Sequence, residues 1–532
     1  MRLLSLLPLL LFGSVAAAAA ASRPPPPSVW QGRSIYFVVT DRFAKTDDDG
    51  GGACAGKEWC GGTLKGVTRK LDYIQSLGFD AVWITPVVKQ VPWRDHWNGT
   101  AYHGYWAQDF YAIDSHLGDE SDLKALSGAL HARGMLLMVD IVANHVGPIH
   151  NVQQLTQLGD GIDSADGRQI HTLRLNRSNE TLNEYIERWG HPSAMSDAGN
   201  CWPNYDFEPG VCNLTVVHDG WFGDLADLRQ EDAATAEYLT GFVKWLVGTF
   251  SVDGLRLDTA TYMPKWFLAD LQEAAEVYIT GEVVTYNFTM HASFTPPLSG
   301  LLNFPVAQHV DFAFSPNGSL ATLASLLEQQ AGMAAYPDLG LLCNFVDNHD
   351  SQRFLYNHTG DATLLSNGLV WALLWQGIPV TYYGTEQPAV SDVQGNRASM
   401  WPNHYGRTDL GDQLTAINAL RRRYGLAAGG AHVAAAGDVV LAETEAMAFV
   451  RGDILALVTN FGSVRKGVDE YCVDVASRLP ARWASVCQGG GSNQVESVFG
   501  NAPAPVCRDN GHSLCVTAMD GRPSVFALAA KQ

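Results

Sequence analysis

Residues 254–262 read GLRLDTATY, an apolar run that ends on the carboxylate Asp258. Three more strings repeat the pattern: LLMVDIVANH at 136–145 with Asp140, YITGEVV at 278–284 with Glu282, and LLCNFVDNHD at 341–350 with Asp350. Apolar runs of this length read as parallel strands buried on both faces. A charge at the carboxyl end of such a strand sits on the rim where α/β barrels carry their chemistry. Taken singly, each carboxylate reads as a cap for the helix after its strand. Four in matching strings on one rim make a catalytic pattern.

Outward from these strings, the strand-like runs SIYFVV, AVWIT, LLMVD, GLRLD, VYITGE, GLLNF, LLCNFV and IPVTYY alternate with helical patterns at 71–77, 122–132, 236–250, 264–275, 320–331 and 364–374. This order is that of an α/β chain folded as a (β/α)8 TIM barrel rather than an open sheet. The barrel is expected over 22–145 and 224–430. The stretch 146–223, rich in Gly, Asn, Asp and Trp, is too long for a simple loop and is expected to be a subdomain inserted after the third strand. In 431–532, runs such as DVVLAET, MAFVRG and ILALVTN alternate at β period, so an antiparallel β-sandwich domain closes the chain.

A net charge of −20 with no sustained basic run argues against nucleic acid or an anionic membrane surface as partner, and a neutral polymer suits it better. Met1 and Arg2 lead into an apolar run at 3–12 and a small-residue tract at 16–21. That is the layout of a secretory signal, expected over 1–21, and the run is too short to span a bilayer. Pro24 to Pro27 then form a stiff leader. The terminal SVFALAAKQ lacks the hydrophobic tail of a lipid-anchor signal. A secreted monomer without a membrane anchor is expected. Sequons at Asn98, Asn176, Asn179, Asn213, Asn287, Asn317 and Asn357 agree with that route. So do the cysteines: Cys54 with Cys60 and Cys201 with Cys212 are spaced for local bridges. Cys472, Cys487, Cys507 and Cys515 leave three connectivities open, and Cys343, inside a strand, reads as a buried free thiol.

With the strings SIYFVVTDRF, KLDYIQSLGFDAVWITP, AYHGYW, DLKALSGALHARGM and IPVTYYGTEQ added to the four carboxylate motifs, the chain resembles the α-amylase family of retaining glycoside hydrolases, especially its secreted fungal members. The resemblance implies hydrolysis of internal α-1,4 bonds in starch-like α-glucans. It makes Asp258 the nucleophile, Glu282 the general acid/base, and Asp350 the residue that binds sugar hydroxyls and favours a distorted ring. A retaining glycosidase needs one ionised carboxylate and one protonated carboxyl about 5 Å apart. Arg256, two residues before Asp258, points to the same barrel face and can keep the nucleophile ionised. The resemblance also implies that His145 and His349 hold hydroxyls at the cleavage point. Tyr105 stacks under that sugar, with His103 and Trp106 beside it. Arg397 and, more loosely, Asp392 bind substrate, and Asp140 organises the barrel mouth.

A calcium ion between barrel and subdomain is implied as well, on side chains of Asn144 and Asp227 and on backbone carbonyls of Tyr262 and Gly210. Calcium prefers such an all-oxygen set. Two departures stand out. The Lys-His pair that typical fungal members carry after the nucleophile is here Thr261-Tyr262, which removes contacts to the leaving sugar. The family's disulfide between the fifth strand and the segment before the seventh is replaced by Ile279 and Tyr336. The first departure leaves two other readings beside the hydrolase. One is an α-glucan transferase or maltooligosaccharide-specific enzyme; the other is a catalytically silent glucan-binding protein.

Overall fold

The computed structural model describes residues 26–47, 50–54, 56–95, 98–158, 212–388, 396–488 and 495–528. The expected signal segment, most of the inserted subdomain, Asn176, Asn179, Cys201, Gly210 and Asp392 lie outside the described residues.

Eight parallel strands form the barrel: β1 (Ile35–Val38), β2 (Ala81–Ile84), β3 (Leu136–Ile141), β4 (Gly254–Leu257), β5 (Tyr278–Gly281), β6 (Gly300–Leu301), β7 (Cys343–Asn344) and β8 (Ile378–Tyr382). Their order is β6-β5-β4-β3-β2-β1-β8-β7, and a parallel bridge between Leu302 and Cys343 joins the two ends into a closed ring. Every residue of the eight strands is buried, because helices cover the outside and packed side chains fill the inside. That is the physical reason these strands read as unbroken apolar runs. β6 is only two residues long, and a side chain at Gly300 would run into Leu341 O and the Tyr278 hydroxyl, each 2.4 Å from an added Cβ.

The helices pack by period. In Glu120–His131 the residues Leu123, Leu126 and Leu130 face the barrel, and Asp119 opens the helix with a reciprocal capping box to Asp122. Ala362–Leu374 is apolar all round because it lies between the barrel and the C-terminal sheet. Its one buried amide, Asn367, donates to Gly521 O at 2.9 Å and accepts from Thr459 N at 2.7 Å, which satisfies the polar groups of both layers. Besides several short helices, two of the longer ones went unread in the sequence. Phe304–Ala313 starts inside the apolar string of β6, and Asp409–Arg423 is polar on much of its surface.

The C-terminal region holds a five-stranded antiparallel sheet (Asp438–Ala442, Ala446–Arg451, Ile454–Thr459, Val495–Phe499, Ser524–Leu528) and a three-stranded one (Val468–Asp474, Val506–Arg508, Ser513–Met519). Strand alternation divides its work. Met447 and Phe449 join the barrel core, while Ala446, Ala448 and Val450 pack with Val473, Leu514 and Val516 between the two sheets. This is the expected sandwich, with one sheet also lying on the barrel.

Three disulfides occur among the described residues. Cys54–Cys60 is local, and of the three open connectivities the fold takes Cys472–Cys515 with Cys487–Cys507. Cys472 and Cys515 face each other across a strand pair. Cys212 is also disulfide-bonded, and Cys343 is a buried free thiol. At the position of the missing family bridge, the Tyr336 hydroxyl lies 2.9 Å from His291 Nδ1, while His291 Nε2 is 3.0 Å from Leu302 O. These contacts tie the segment before β7 to the helix Phe288–Ala292 and to the end of β6. Asn98, Asn213, Asn317 and Asn357 are exposed and Asn287 is half-buried. No helix among the described residues is long and apolar enough to cross a membrane.

Candidate active site

The carboxyl ends of β3, β4, β5 and β7 bring Asp140, Asp258, Glu282 and Asp350 to one rim, around a cleft of about 630 Å³. That size is typical of small-ligand sites. His103, Tyr105, His145, Thr261, Tyr262, His349 and Arg397 also line it. Arg256 lies beneath, fully buried.

Arg256 organises three of the four carboxylates. Its Nη1 donates to Asp258 Oδ1 at 2.7 Å and to both Asp140 oxygens at 2.9 and 3.1 Å. Its Nη2 lies 2.9 Å from Glu282 Oε1, an ion-pair distance without hydrogen-bond alignment. After Asp258 the chain must turn out of β4, and Thr259 takes a left-handed conformation (φ 48°, ψ 37°) before the single turn Ala260–Tyr262. Such backbone strain in a threonine costs of order 1–3 kcal/mol and concentrates at functional sites. Here it aims the Thr259 N–H at Glu282 Oε2, 2.9 Å away.

Burial separates the protonation states. Glu282 is pushed up to about 8 by burial, with the charges of Asp258 and Asp350 adding to that and Arg256 opposing it. Asp140 is likewise pushed up to about 7 by burial against the pull of Arg256. Asp350 goes the other way. Desolvation works against its charge, although the side chain is 46% exposed, yet His349 in its protonated form, Arg397 and Arg256 outweigh it and hold the carboxyl down at about 2. Arg397 Nη2 donates to Asp350 Oδ1 at 2.6 Å and its Nε to His349 O at 2.8 Å. At neutral pH the site therefore pairs a proton-bearing Glu282 with an ionised Asp350.

The Tyr105 ring stacks between His103 and His349, with centroids 5.5 and 5.4 Å away. Its hydroxyl donates to Asp140 Oδ2 at 2.7 Å; having spent its one proton there, it accepts from His349 Nε2–H at 2.8 Å. Burial depresses His349 to about 3 and lowers His103 and His145 too, so these imidazoles stand neutral and suit hydroxyl groups as ligands. His145 Nε2 is buried without a hydrogen-bond partner among the described residues, at the wall of the cleft. Trp106 sits one layer back, edge-on to His103 at 4.7 Å, and does not line the cleft. Tyr262 is 6% exposed, edge-to-face with Phe222 at 5.1 Å in a small cluster with Cys212 and Val217.

Three contributors escaped the sequence reading. The Thr259 amide is a backbone group and has no residue signature. Trp83 Nε1 donates to Asp140 Oδ2 at 3.2 Å from the apolar string AVWIT, where a tryptophan reads as core. Asn396 donates to His349 O at 2.6 Å, and only its place beside Arg397 hinted at a role.

The α-amylase catalytic-domain family model matches residues 37–490, most of the chain and all of this rim. The chain belongs to the α-amylase family. An α-amylase of Saccharomycopsis fibuligera is 33% identical over 443 residues, covering 82% of this chain and 82% of the relative. α-Amylase 2 of Schwanniomyces occidentalis is 34% identical over 452 residues, covering 82% and 81%. Among solved structures, an α-amylase from Malbranchea cinnamomea superposes with a TM-score of 0.75 at 31% identity, covering 95% of this chain and 98% of that one. This α-amylase-family hydrolase shares the barrel and the C-terminal sheet domain with them.

Proposed function

We propose that this hydrolase is a secreted α-amylase that cleaves internal α-1,4-glucosidic bonds of starch, glycogen and maltooligosaccharides with retention. The observation that carries the reading is the single guanidinium of Arg256, 2.7 Å from Asp258 and 2.9 Å from Glu282, with Glu282 pushed up to about 8. A carboxyl that keeps its proton, in one cleft with a second one hydrogen-bonded to Arg256, supports the roles of acid for Glu282 and nucleophile for Asp258. In the first step Asp258 Oδ bonds to the anomeric carbon as the glycosidic bond breaks, and the leaving oxygen takes the Glu282 proton. In the second, water attacks that carbon, the Glu282 carboxylate takes its proton, and the ester to Asp258 breaks. Asp350, with Arg397 and the neutral His349, is suited to holding sugar hydroxyls, and Tyr105 to supporting the ring.

The residues fit a calcium ion. Asn144 Oδ1 is buried without a hydrogen-bond partner among the described residues, and the pairing of His145 with Asp227 brings an amide and a carboxylate oxygen donor together. Asn144, Asp227 and the carbonyl of Tyr262 would hold the ion. When bound it supplies charge that ties the segment after β3 to the start of the following helical layer, away from the reacting carboxylates.

The alternative of an α-glucan transferase rested on Thr261-Tyr262. Tyr262 lines the cleft but is 6% exposed and held edge-to-face by Phe222, so it offers little surface as an acceptor platform, which favours hydrolysis. A chromatogram of products from maltoheptaose and soluble starch tests all readings. Shorter products fit the hydrolase, products longer than the substrate mean transfer, and no products mean a silent binder.

A further inference from the structure

A second cavity, of about 670 Å³, opens beside the cleft at the start of the helix Lys265–Ala275. Its walls are mainly apolar, with Pro264, Trp266, Met290 and Phe294 prominent. Thr261 lines both this groove and the catalytic cleft, so one threonine side chain stands at the junction of the two. Trp266 is 48% exposed, among the largest apolar surfaces left in solvent by the described residues. Half of an indole turned to water adds little to the fold and marks a surface kept for contact.

We propose that this groove is a distal glucan-binding site, in which Trp266 stacks under glucose units of the leaving segment beyond Thr261. The inference rests on the glucan-hydrolase reading and extends it.

The side of the cleft follows from the acid. Glu282 hands its proton to the leaving oxygen, so the leaving segment runs along the chain that follows Glu282. That chain walls the cleft at Val284 and Tyr286 and then the groove at Thr289 and Met290. Asp350, Arg397 and His349 hold the opposite side. The groove thus adjoins the cleft across Thr261, on the leaving side of the substrate path. Its chemistry matches pyranose rings, whose C–H faces pack on an aromatic plane while rim hydroxyls meet polar groups. Lys265 provides one such group at a fixed position. Its Nζ donates to Ser293 Oγ at 2.6 Å and sits 4.5 Å above the Phe294 ring.

The test compares kcat/KM on maltoheptaose, long enough to reach the groove, with kcat/KM on a short aryl maltoside whose leaving group stops at the cleft. In Trp266→Ala the ratio of the two should fall about fivefold, the size of one lost stacking contact. Trp266→Phe, which keeps an aromatic plane, should recover most of it. An unchanged ratio in Trp266→Ala overturns the groove, and so does an equal loss on both substrates, which would mark a structural role. A parent enzyme inactive on both substrates would instead remove the glucan-hydrolase reading itself, and the groove with it.

Discussion

The Thr259 amide nitrogen, one residue beyond Asp258, lies 2.9 Å from Glu282 Oε2. The turn that ends β4 therefore orients the carboxyl that ends β5, and the two reacting groups are positioned through one backbone contact. Glu282→Gln preserves this acceptor, so the variant should fold with a near-parental melting temperature while turnover on starch drops by about 10²–10⁴-fold. Near-normal turnover would remove Glu282 from the acid role.

The raised proton affinity of Glu282 sets the alkaline limit. The acid must carry its proton in the free enzyme, so kcat/KM should decline as pH rises through about 8. The apparent value belongs to the interacting carboxyl cluster as a whole. A pH–rate profile whose alkaline limb falls below pH 6 would contradict the burial argument.

Stability should follow the same protons. Glu282 and Asp140, at about 8 and about 7, keep protons in the folded state that unfolded carboxyls have already lost. His131, raised by its bond to Asp253, adds in the same direction. Above the range where unfolded histidines titrate, from about pH 7.5 to about 8.5, the unfolded chain thus binds fewer protons than the folded one, and stability falls as pH rises across that window. His349 and His291, depressed to about 3 and about 4, are neutral when folded but still partly protonated when unfolded near pH 6.5, so they oppose this slope there and drop out as pH passes about 7.5. Melting temperatures should decline from about pH 7.5 to about 8.5, and Glu282→Gln should flatten the decline. A rise would reverse the sign of the account.

The barrel was legible because each of its strands is buried on both faces and writes itself as an apolar run. The sandwich was legible because its strands bury alternate residues. The carboxylate rim was legible where an acidic residue follows a strand. The unread parts depend on partners far apart in sequence. Arg256 meets Asp140 across 116 positions, and no local pattern shows that it also reaches Glu282. Tyr262 is the sharpest case. As a residue after the nucleophile it read as a cleft side chain, and it does line the cleft, but its ring also packs on Phe222 in a cluster with Cys212, which no local pattern shows.

That packing makes a prediction. Tyr262→His, which restores the residue typical of fungal relatives, places an imidazole in an apolar cluster and should destabilise the protein by about 1–3 kcal/mol. Denaturant unfolding measures it, and an unchanged midpoint would show that the ring is not structural.

Removal of calcium should act on stability before chemistry. If Asn144 and Asp227 hold the ion, a chelator should lower the melting temperature, and added calcium should restore it in a concentration-dependent way, since a ligand bound only by the folded state stabilises by mass action. Asn144→Ala should abolish the response. A melting curve insensitive to chelator and to calcium would remove the site.

The central claim is a retaining attack by Asp258 with Glu282 as acid. Its most direct test is proton NMR of maltoheptaose during the first turnovers, before the new reducing ends equilibrate. Retention predicts that the new ends appear first as the α-anomer, with the β-anomer rising later by mutarotation. First appearance of the β-anomer would mean direct displacement by water and would contradict the assignment of Asp258.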